Sequence, residues 1–482
     1  MITTVIGRVS DGSAVERVTL AVEDLSVEIL SWGAAIQSIY LAGVPHSLVL
    51  GLTTAEDYEH RSPYFGAIAG RVANRIGGGT FTIDGKTHHI TRNQGGRVTL
   101  HGGAAGSGKS NWRVAHVRDQ SVILHLALPD GRDGFPGTAQ LSCTYTITAP
   151  GTLDIELDAR CDAPCPINLA THSYFNLNGS GPIDGHQLWV PATVLTAIDE
   201  DLVPTGALTP VADSSFDFRS ARKIGDRVID HNYCIAAARS AEPRPVAQLA
   251  GEQVNLVVES TEPGLQVYTG DKVNIDGATT HGQPYASRAG VCLEPQAWPD
   301  GVNHPHFPAT VLRPGECYHQ ITRYRLMSYE ASFGSGPPWL DVAVGTPDDL
   351  RVVFADDAKD IRILLRATLR DLGIRDIVGV EDGMSAFQSL CTVGADVLIT
   401  DWSMPRLSGL ALAKLVRNHP KSINPFIPIV MLTARNKQED VVKSRDNGVD
   451  LFVTKPLSRK AIRDRLAIAF KASRPYIVTR EF

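Results

Sequence analysis

Five stretches of this 482-residue chain concentrate side chains able to move a proton or grip a hydroxyl. They are "GRVANRI" (70–76), "TLHGG" (99–103), "NLATHSYFNLNG" (168–179), "DHNYCI" (230–235) and "CLEPQAWPDGVN" (292–303), each set beside Gly, Pro or Asn turn residues. A lone histidine on a strand is more often a hydrogen-bonded core residue than a catalyst. Several polar stretches of this kind in one half of a chain point to a shared polar site instead. A carboxylate and a histidine tuned near neutrality suit an acid–base exchange between oxygens. A second group ends four apolar runs: "RVVFADD" (351–357), "DVLITDWSMP" (396–405), "FIPIVMLTA" (426–434) and "DLFVTKP" (450–456). In a doubly wound parallel sheet ligands collect at the carboxyl ends of strands, so Asp356, Asp357, Asp401, Thr433 and Lys455 converge on one crevice. Three carboxylates there make a hard oxygen site suited to Mg²⁺, and one of them can attack a phosphoryl group.

The elements that must position these groups change character along the chain. In "TLDIELDA" (152–159), Leu153, Ile155, Leu157 and Ala159 alternate with Asp154, Glu156 and Asp158, the pattern of a half-buried antiparallel strand. Short strands of this kind, separated by Gly, Pro, Asp and Asn, fill residues 1–330 and predict an all-β sandwich. From residue 349 the period switches: in "AKDIRILLRATLRDLG", Ile361, Leu364, Leu365, Leu369 and Leu372 follow helical spacing. Strand and helix then alternate through residue 475, as in an α/β doubly wound parallel sheet. Residues 331–348, "ASFGSGPPWLDVAVGTPD", read as a Gly/Ser/Pro linker between the two domains.

Composition excludes several classes. The N-terminus has no basic region followed by an apolar core, and no apolar run approaches the ~20 residues of a bilayer span, so the expectation is a cytoplasmic protein without a membrane partner. A net charge of −6 gives no reason to expect nucleic acid. Seven cysteines without tight pairing argue against a disulfide framework, and Cys161 and Cys165 lack a second pair at zinc spacing. "GAAGSGKS" (103–110) fits a phosphate-cradling loop, but that loop needs a strand before it and a helix after it. The strand-like "NWRVAHVRDQSVILHLAL" follows, so this segment is expected to be a flexible surface loop.

In order and approximate spacing, the five polar stretches resemble the motifs of aldose 1-epimerases, the galactose mutarotase family, across nearly all of residues 1–330; "DGVNHPHFPATVLRPGE" (300–316) extends the match. The resemblance implies an isomerase that exchanges α and β anomers of a free hexose such as galactose or glucose by opening and reclosing the ring, with no cofactor. It implies Glu294 as base and His172 as acid, with Asn74, Arg75, His101 and Asp230 holding the sugar. Pro295 pushes Glu294 into an extended conformation. Trp298 is either an apolar face for the sugar or core. Where the family carries a Pro, Gly and aromatic turn after "LHGG", this chain has "AAGSGKSNW", so a looser wall beside His101 is expected. Two rivals are weighed: a glycosidase on Asp230 and Glu294, which leaves the histidines and arginine without a task, and a signalling protein whose β-sandwich binds sugar without turnover.

Residues 349–475 resemble a two-component receiver domain of the flavodoxin-like fold, with "DxxMPxxxG" (401–409) among its more specific signatures. The likeness implies Asp401 as phosphoacceptor, Asp356, Asp357 and Asp401 around Mg²⁺, Thr433 and Lys455 as the phosphoryl-sensing pair, and Phe452 as the switch aromatic. It also implies a cognate histidine kinase or phosphotransfer protein as partner. The Lys455–Pro456 bond is a candidate cis peptide.

Overall fold

The strand Val291–Gln296 reads Val-Cys-Leu-Glu-Pro-Gln, and a period of two sends Val291 and Leu293 to one face and Cys292, Glu294 and Gln296 to the other. A computed structural model describes residues 2–277, 279–328, 351–371, 373–393, 395–418, 427–433, 448–455 and 462. In it this strand belongs to a six-stranded antiparallel sheet ordered Tyr174–Phe175, Val291–Gln296, Gly264–Tyr268, Asp230–Cys234, Val194–Ile198, Pro204–Pro210. Val291, Leu293, Leu265, Val267 and Tyr233 enter the main apolar cluster. Leu153, Ile155, Leu157, Leu256, Val258 and Tyr324 enter the same cluster from a nine-stranded antiparallel sheet. The core thus lies between two sheets, the β-sandwich expected. The alternate residues of the six-stranded sheet are left facing away from that core.

Thr152–Cys161 forms the half-buried strand expected, with one difference. Asp154, assigned to the solvent face, is only 7% exposed, because Arg323 on the neighbouring strand donates to it at 2.6 and 2.7 Å. The pairing partner, which the local sequence does not reveal, covers the carboxylate.

The chain divides into two compact units, Met1–Gly334 and Ser335–Phe482. The described part of the second holds a five-stranded parallel sheet ordered Asp376–Val380, Arg351–Ala355, Val397–Asp401, Ile429–Thr433, Leu451–Thr454. This is the doubly wound order in which the first strand sits between the second and third. Val352 and Phe354 pack with Leu365 and Leu369 of the helix Lys359–Asp371. On the other face, Val353 and Ala355 pack with Ala386 of Gly383–Val393 and Leu412 and Val416 of Gly409–Asn418. Leu364, one of the residues at helical spacing, is 39% exposed; Ile361, Leu365 and Leu369 are the members of that set that pack on the sheet. Leu372, the 331–348 linker and the Lys455–Pro456 bond lie outside the described residues. Among the described residues, no helix is long and apolar enough to cross a membrane.

Candidate functional site

The floor of the site is the face of the six-stranded sheet that turns away from the core. Antiparallel register sets Glu294 opposite Gln266 and Gln266 opposite Asn232, with Cys292, Tyr268 and Asp230 in the next row. Directly opposed residues share a face, so three strands far apart in sequence pool their polar side chains. Asp230 Oδ1 accepts from Gln266 Nε2 at 2.6 Å, and its Oδ2 accepts from Arg75 Nη2 at 3.2 Å.

A second element brings the "GRVANRI" and "TLHGG" stretches together. Arg75–Ile76 pairs with Thr99–Leu100, which places Asn74 beside His101. The Asn74 backbone N–H donates to His101 Nδ1 at 3.2 Å, and the His101 N–H donates to the Asn74 carbonyl at 2.9 Å. A ring nitrogen that accepts leaves the proton of the neutral imidazole on Nε2, so His101 presents a donor. Both residues have left-handed backbones, φ +61° and +51°. Gly102, at φ +83°, is required because a Cβ there would lie 2.0 Å from the Gly70 carbonyl oxygen. The Arg75 guanidinium is held by Gln94 Oε1 at 3.0 Å as well as by Asp230.

His172 follows the two-residue strand Ala170–Thr171, which pairs with Ile68–Ala69. Its ring meets the floor at two points: Nε2 lies 3.7 Å from Glu294 Oε1, and Nδ1 lies 3.5 Å from Cys292 Sγ. Tyr174 stacks on it with ring centroids 5.1 Å apart, and His101 lies 5.0 Å away edge to face.

Burial sets the protonation of this pair. Glu294, 2% exposed, is pushed well above the usual carboxylate range by burial, with the Asp230 charge adding to the shift and Arg75 opposing it. Burial pushes His172 down to about 4, partly offset by its backbone hydrogen bond and by Asp230. His101 is held well below its ordinary value by burial, then by His172, Arg75 and Lys109. Burial thus favours the uncharged form of each group, a protonated Glu294 beside a neutral His172. Glu294 Oε2 is buried and has no hydrogen-bond partner among the described residues. Such an atom is costly unless a ligand or water meets it.

The wall beside His101 differs from the sequence expectation. "GAAGSGKS" is packed rather than a flexible surface loop: Gly106, Ser107, Gly108 and Ser110 are buried. Ser107 Oγ donates to the Ile68 carbonyl at 2.6 Å, and Lys109 Nζ donates to the Ser62 carbonyl at 2.9 Å. Lys109 also sits 5.0 Å above the Tyr64 ring, whose centroid is 4.6 Å from that of His101. Tyr64 thus closes the wall that the departure from the family pattern suggested would be loose. The strands Arg113–Val117 and Ser121–Leu128 follow the segment, as the argument against a nucleotide loop required. Trp298 is core: its indole N–H donates to the Pro263 carbonyl at 3.0 Å, and the ring packs edge-on against Phe307.

All six residues singled out for the first site therefore lie in one connected cluster. Gln266, Gln94, Tyr64 and Lys109 were missed as contributors. Cys292 and Tyr174 lie inside quoted stretches, and strand alternation around Glu294 was the signal that could have found Cys292.

The second unit gathers its polar residues at the carboxyl end of its sheet. Lys455 Nζ lies 2.9 Å from Asp356 Oδ2 and 2.6 Å from Asp401 Oδ1. Asp356 is fully buried and Asp401 is 7% exposed, whereas Asp357 points to solvent. Burial raises the Asp356 pKa against the pull of Lys455. Burial works to lower the Lys455 pKa, but its hydrogen bonds to Asp401 and Asp356 prevail and raise it. Thr433 ends the strand beside Asp401's and is 3% exposed; the Lys455 N–H donates to its carbonyl at 2.8 Å. Phe452 is half-buried against the cluster of Val353 and Ala355, away from these contacts. Asp356 and Asp401, oxygen donors bridged by one lysine that offsets one of their two charges, suit a small hard cation, whereas the exposed Asp357 carboxylate is not gathered with them. Gly409 is explained by close approach: a Cβ there would lie 2.0 Å from the Asp401 carbonyl oxygen.

Comparison with known proteins agrees with both resemblances. The aldose 1-epimerase family model matches residues 16–325, and the response regulator receiver domain model matches residues 352–467. Galactose mutarotase from Rattus norvegicus is 37% identical over 335 residues, covering 67% of this chain and 97% of the relative. Aldose 1-epimerase from Escherichia coli K12 is 34% identical over 323 residues, covering 63% of this chain and 92% of the relative. Proteins with these names are isomerases. A solved GalM/aldose epimerase homologue from C. elegans shares 30% identity and a TM-score of 0.61, over 65% of this chain and 99% of that one. Galactose 1-epimerase from Lactobacillus acidophilus, at 24% identity and a TM-score of 0.60 over 68% and 99%, shows the same fold.

Proposed function

The chain belongs to the aldose 1-epimerase family and carries a receiver domain, and from that premise we propose that its first unit interconverts the α and β anomers of a free aldohexose such as galactose or glucose. The observation that carries this reading is the buried His172–Glu294 pair, 3.7 Å apart, in which burial favours a protonated Glu294 beside a neutral His172 and one carboxylate oxygen has no partner among the described residues. An anomeric hydroxyl that donates to Glu294 Oε2 stabilises the charged carboxylate, which moves the Glu294 proton toward His172. Glu294 then takes the proton of the C1 hydroxyl while His172 gives one to the ring oxygen, and the C1–O5 bond breaks. Rotation about C1–C2 presents the other face of the aldehyde. Closure runs with the roles reversed: His172 takes the proton from the C5 hydroxyl, and Glu294 returns one to O1. Arg75, Asn74 and the Nε2–H of His101 donate to sugar oxygens, while Asp230, steadied by Gln266, accepts from ring hydroxyls. No step needs a cofactor.

For the second unit the proposed role is phosphoacceptance. Asp401 is the acceptor, Asp356 and Asp357 join it in holding Mg²⁺, and Lys455 and Thr433 meet the phosphoryl oxygens, with Phe452 as the aromatic that responds. Mg²⁺ there would neutralise charge on the transferred group. The donor is a histidine kinase or a phosphotransfer protein. Reduced, buried cysteines such as Cys143, Cys161, Cys165, Cys234 and Cys292 suit the cytoplasm, where we place the protein. Polarimetry of freshly dissolved α-galactose and α-glucose with catalytic amounts of purified protein tests the first role. Rates that rise in proportion to protein support it; rates equal to buffer alone, with sugar still bound, favour a sensor without turnover.

A further inference from the structure

The proton exchange uses His172 and Glu294 but leaves the third group at their junction, the Cys292 thiol, without a task. Cys292 and Glu294 stand two residues apart on one strand and one face, and His172 reaches down between them. One ligand atom from each residue lies within 4.8 Å of the other two, and all three residues are buried. The 3.5 Å from His172 Nδ1 to Cys292 Sγ and the 3.7 Å from Nε2 to Glu294 Oε1 already match the ligand–ligand spacing of a tetrahedral site with bonds of about 2.0–2.3 Å. A single cation takes only one ring nitrogen, so side-chain rotation of about 1 Å completes the set. Independently, Glu294 Oε2 is a buried polar atom with no partner among the described residues. Imidazole, thiolate and carboxylate together are a borderline-soft donor set, and three protein ligands with an open fourth position describe an exchangeable centre rather than a closed structural one.

We propose that His172, Cys292 and Glu294 bind a borderline-soft divalent cation, Zn²⁺ or Cd²⁺, and that occupancy switches the epimerase off. The inhibition rests on the epimerase reading above; the binding does not. On binding, the Cys292 S–H bond breaks and a sulfur–metal bond forms, and its proton leaves to solvent together with the proton on Glu294. The metal then holds the lone pairs through which that proton would move. A hard cation does not replace it, because Mg²⁺ disfavours thiolate and imidazole donors. The Mg²⁺ that the second unit would take therefore leaves the epimerase running.

The test uses the full chain, stripped with a chelator. Cd²⁺ is titrated while the thiolate-to-metal absorption band is recorded, and in parallel Zn²⁺ or Mg²⁺ is titrated while mutarotation is followed by polarimetry. The expected result is one band-forming equivalent in the wild type that weakens at least about tenfold in Cys292→Ser and in Glu294→Gln. Zn²⁺ inhibition should track occupancy, reverse with chelator and weaken at least about tenfold in Cys292→Ser, read against that variant's own metal-free rate. Millimolar Mg²⁺ should not inhibit. Identical Cd²⁺ titrations in the wild type and both variants would overturn the site. Saturation by Zn²⁺ with no loss of rate would overturn the switch. If the metal-free wild type does not mutarotate at all, the epimerase reading falls, and the Cd²⁺ comparison still decides whether the site exists.

Discussion

Replacing Asp230 by asparagine keeps the shape of the side chain and removes its charge. Arg75, 5% exposed, then loses its only carboxylate contact among the described residues and keeps Gln94 Oε1 at 3.0 Å and Asn74 Oδ1 at 3.5 Å. Stranding one partner of a buried pair costs about 3–5 kcal/mol; Asp230 is partly exposed and Gln94 remains, so the lower end, about 3 kcal/mol, applies. A domain of roughly 300 residues has an unfolding entropy of about 0.6 kcal/mol/K, which converts this to a fall in Tm of about 5 °C. A lost charged hydrogen bond to the sugar, worth about 1.5–3 kcal/mol, lowers kcat/KM by roughly 10- to 100-fold. The pH profile carries the sharper signature. Asp230 helps to raise Glu294 and to hold His172 up against burial, so its neutralisation moves both pKa values down. Activity requires the pair to hold one proton; it falls at low pH as His172 takes a second and at high pH as Glu294 loses the last. Both limbs of kcat/KM against pH should therefore shift to lower pH. Polarimetric initial rates across the pH range, with calorimetric Tm values, make the measurement. A shift of either limb to higher pH, or an unchanged Tm, would refute the electrostatic reasoning.

Three further outcomes follow from the same contacts. Acetyl phosphate with Mg²⁺ should label the wild type at Asp401 and leave Asp401→Asn unlabelled by intact-mass analysis, and chelation should abolish labelling; equal labelling of the variant would mean a different acceptor. His186 is fully buried, accepts from the Leu177 N–H at 3.0 Å, and is pushed down to about 4 by burial. Because its folded pKa lies below the unfolded value, the unfolded chain takes the proton first, and stability is lost as pH falls from about 6.5 toward 4. The stability advantage of the wild type over His186→Gln should thus shrink by about 2 kcal/mol between pH 7 and pH 5 in denaturant melts, and a constant gap would contradict the assignment. Gly409→Ala forces a methyl onto the Asp401 carbonyl and should destabilise the second unit by roughly 1–3 kcal/mol while leaving mutarotation intact; full acetyl-phosphate labelling with an unchanged melt would count against that contact.

What the sequence disclosed depended on how local each signal was. The extended backbone at Glu294 was legible because Pro295, its immediate neighbour, disfavours the helical region there. The parallel sheet of the second unit was legible because four apolar runs end at Asp356, Asp401, Thr433 and Lys455, which the sheet order brings to one edge. Gln266 was not, since its place beside Asp230 and opposite Glu294 arises from long-range register. The segment 103–110 was misjudged for a related reason. Its Gly and Ser content signals irregular backbone, and the packing that fixes it comes from Tyr64, Ile68 and Gly70, which lie more than thirty residues earlier in the chain.

The central claim is proton exchange between a sugar and the His172–Glu294 pair, and saturation-transfer NMR at anomeric equilibrium measures it without a coupling enzyme. With wild-type protein, saturating the α-anomeric proton of glucose or galactose should deplete the β-anomeric signal at a rate proportional to protein concentration. Glu294→Gln and His172→Asn should each slow that transfer by at least about 100-fold while remaining folded. Transfer near the wild-type rate in both variants would contradict the account.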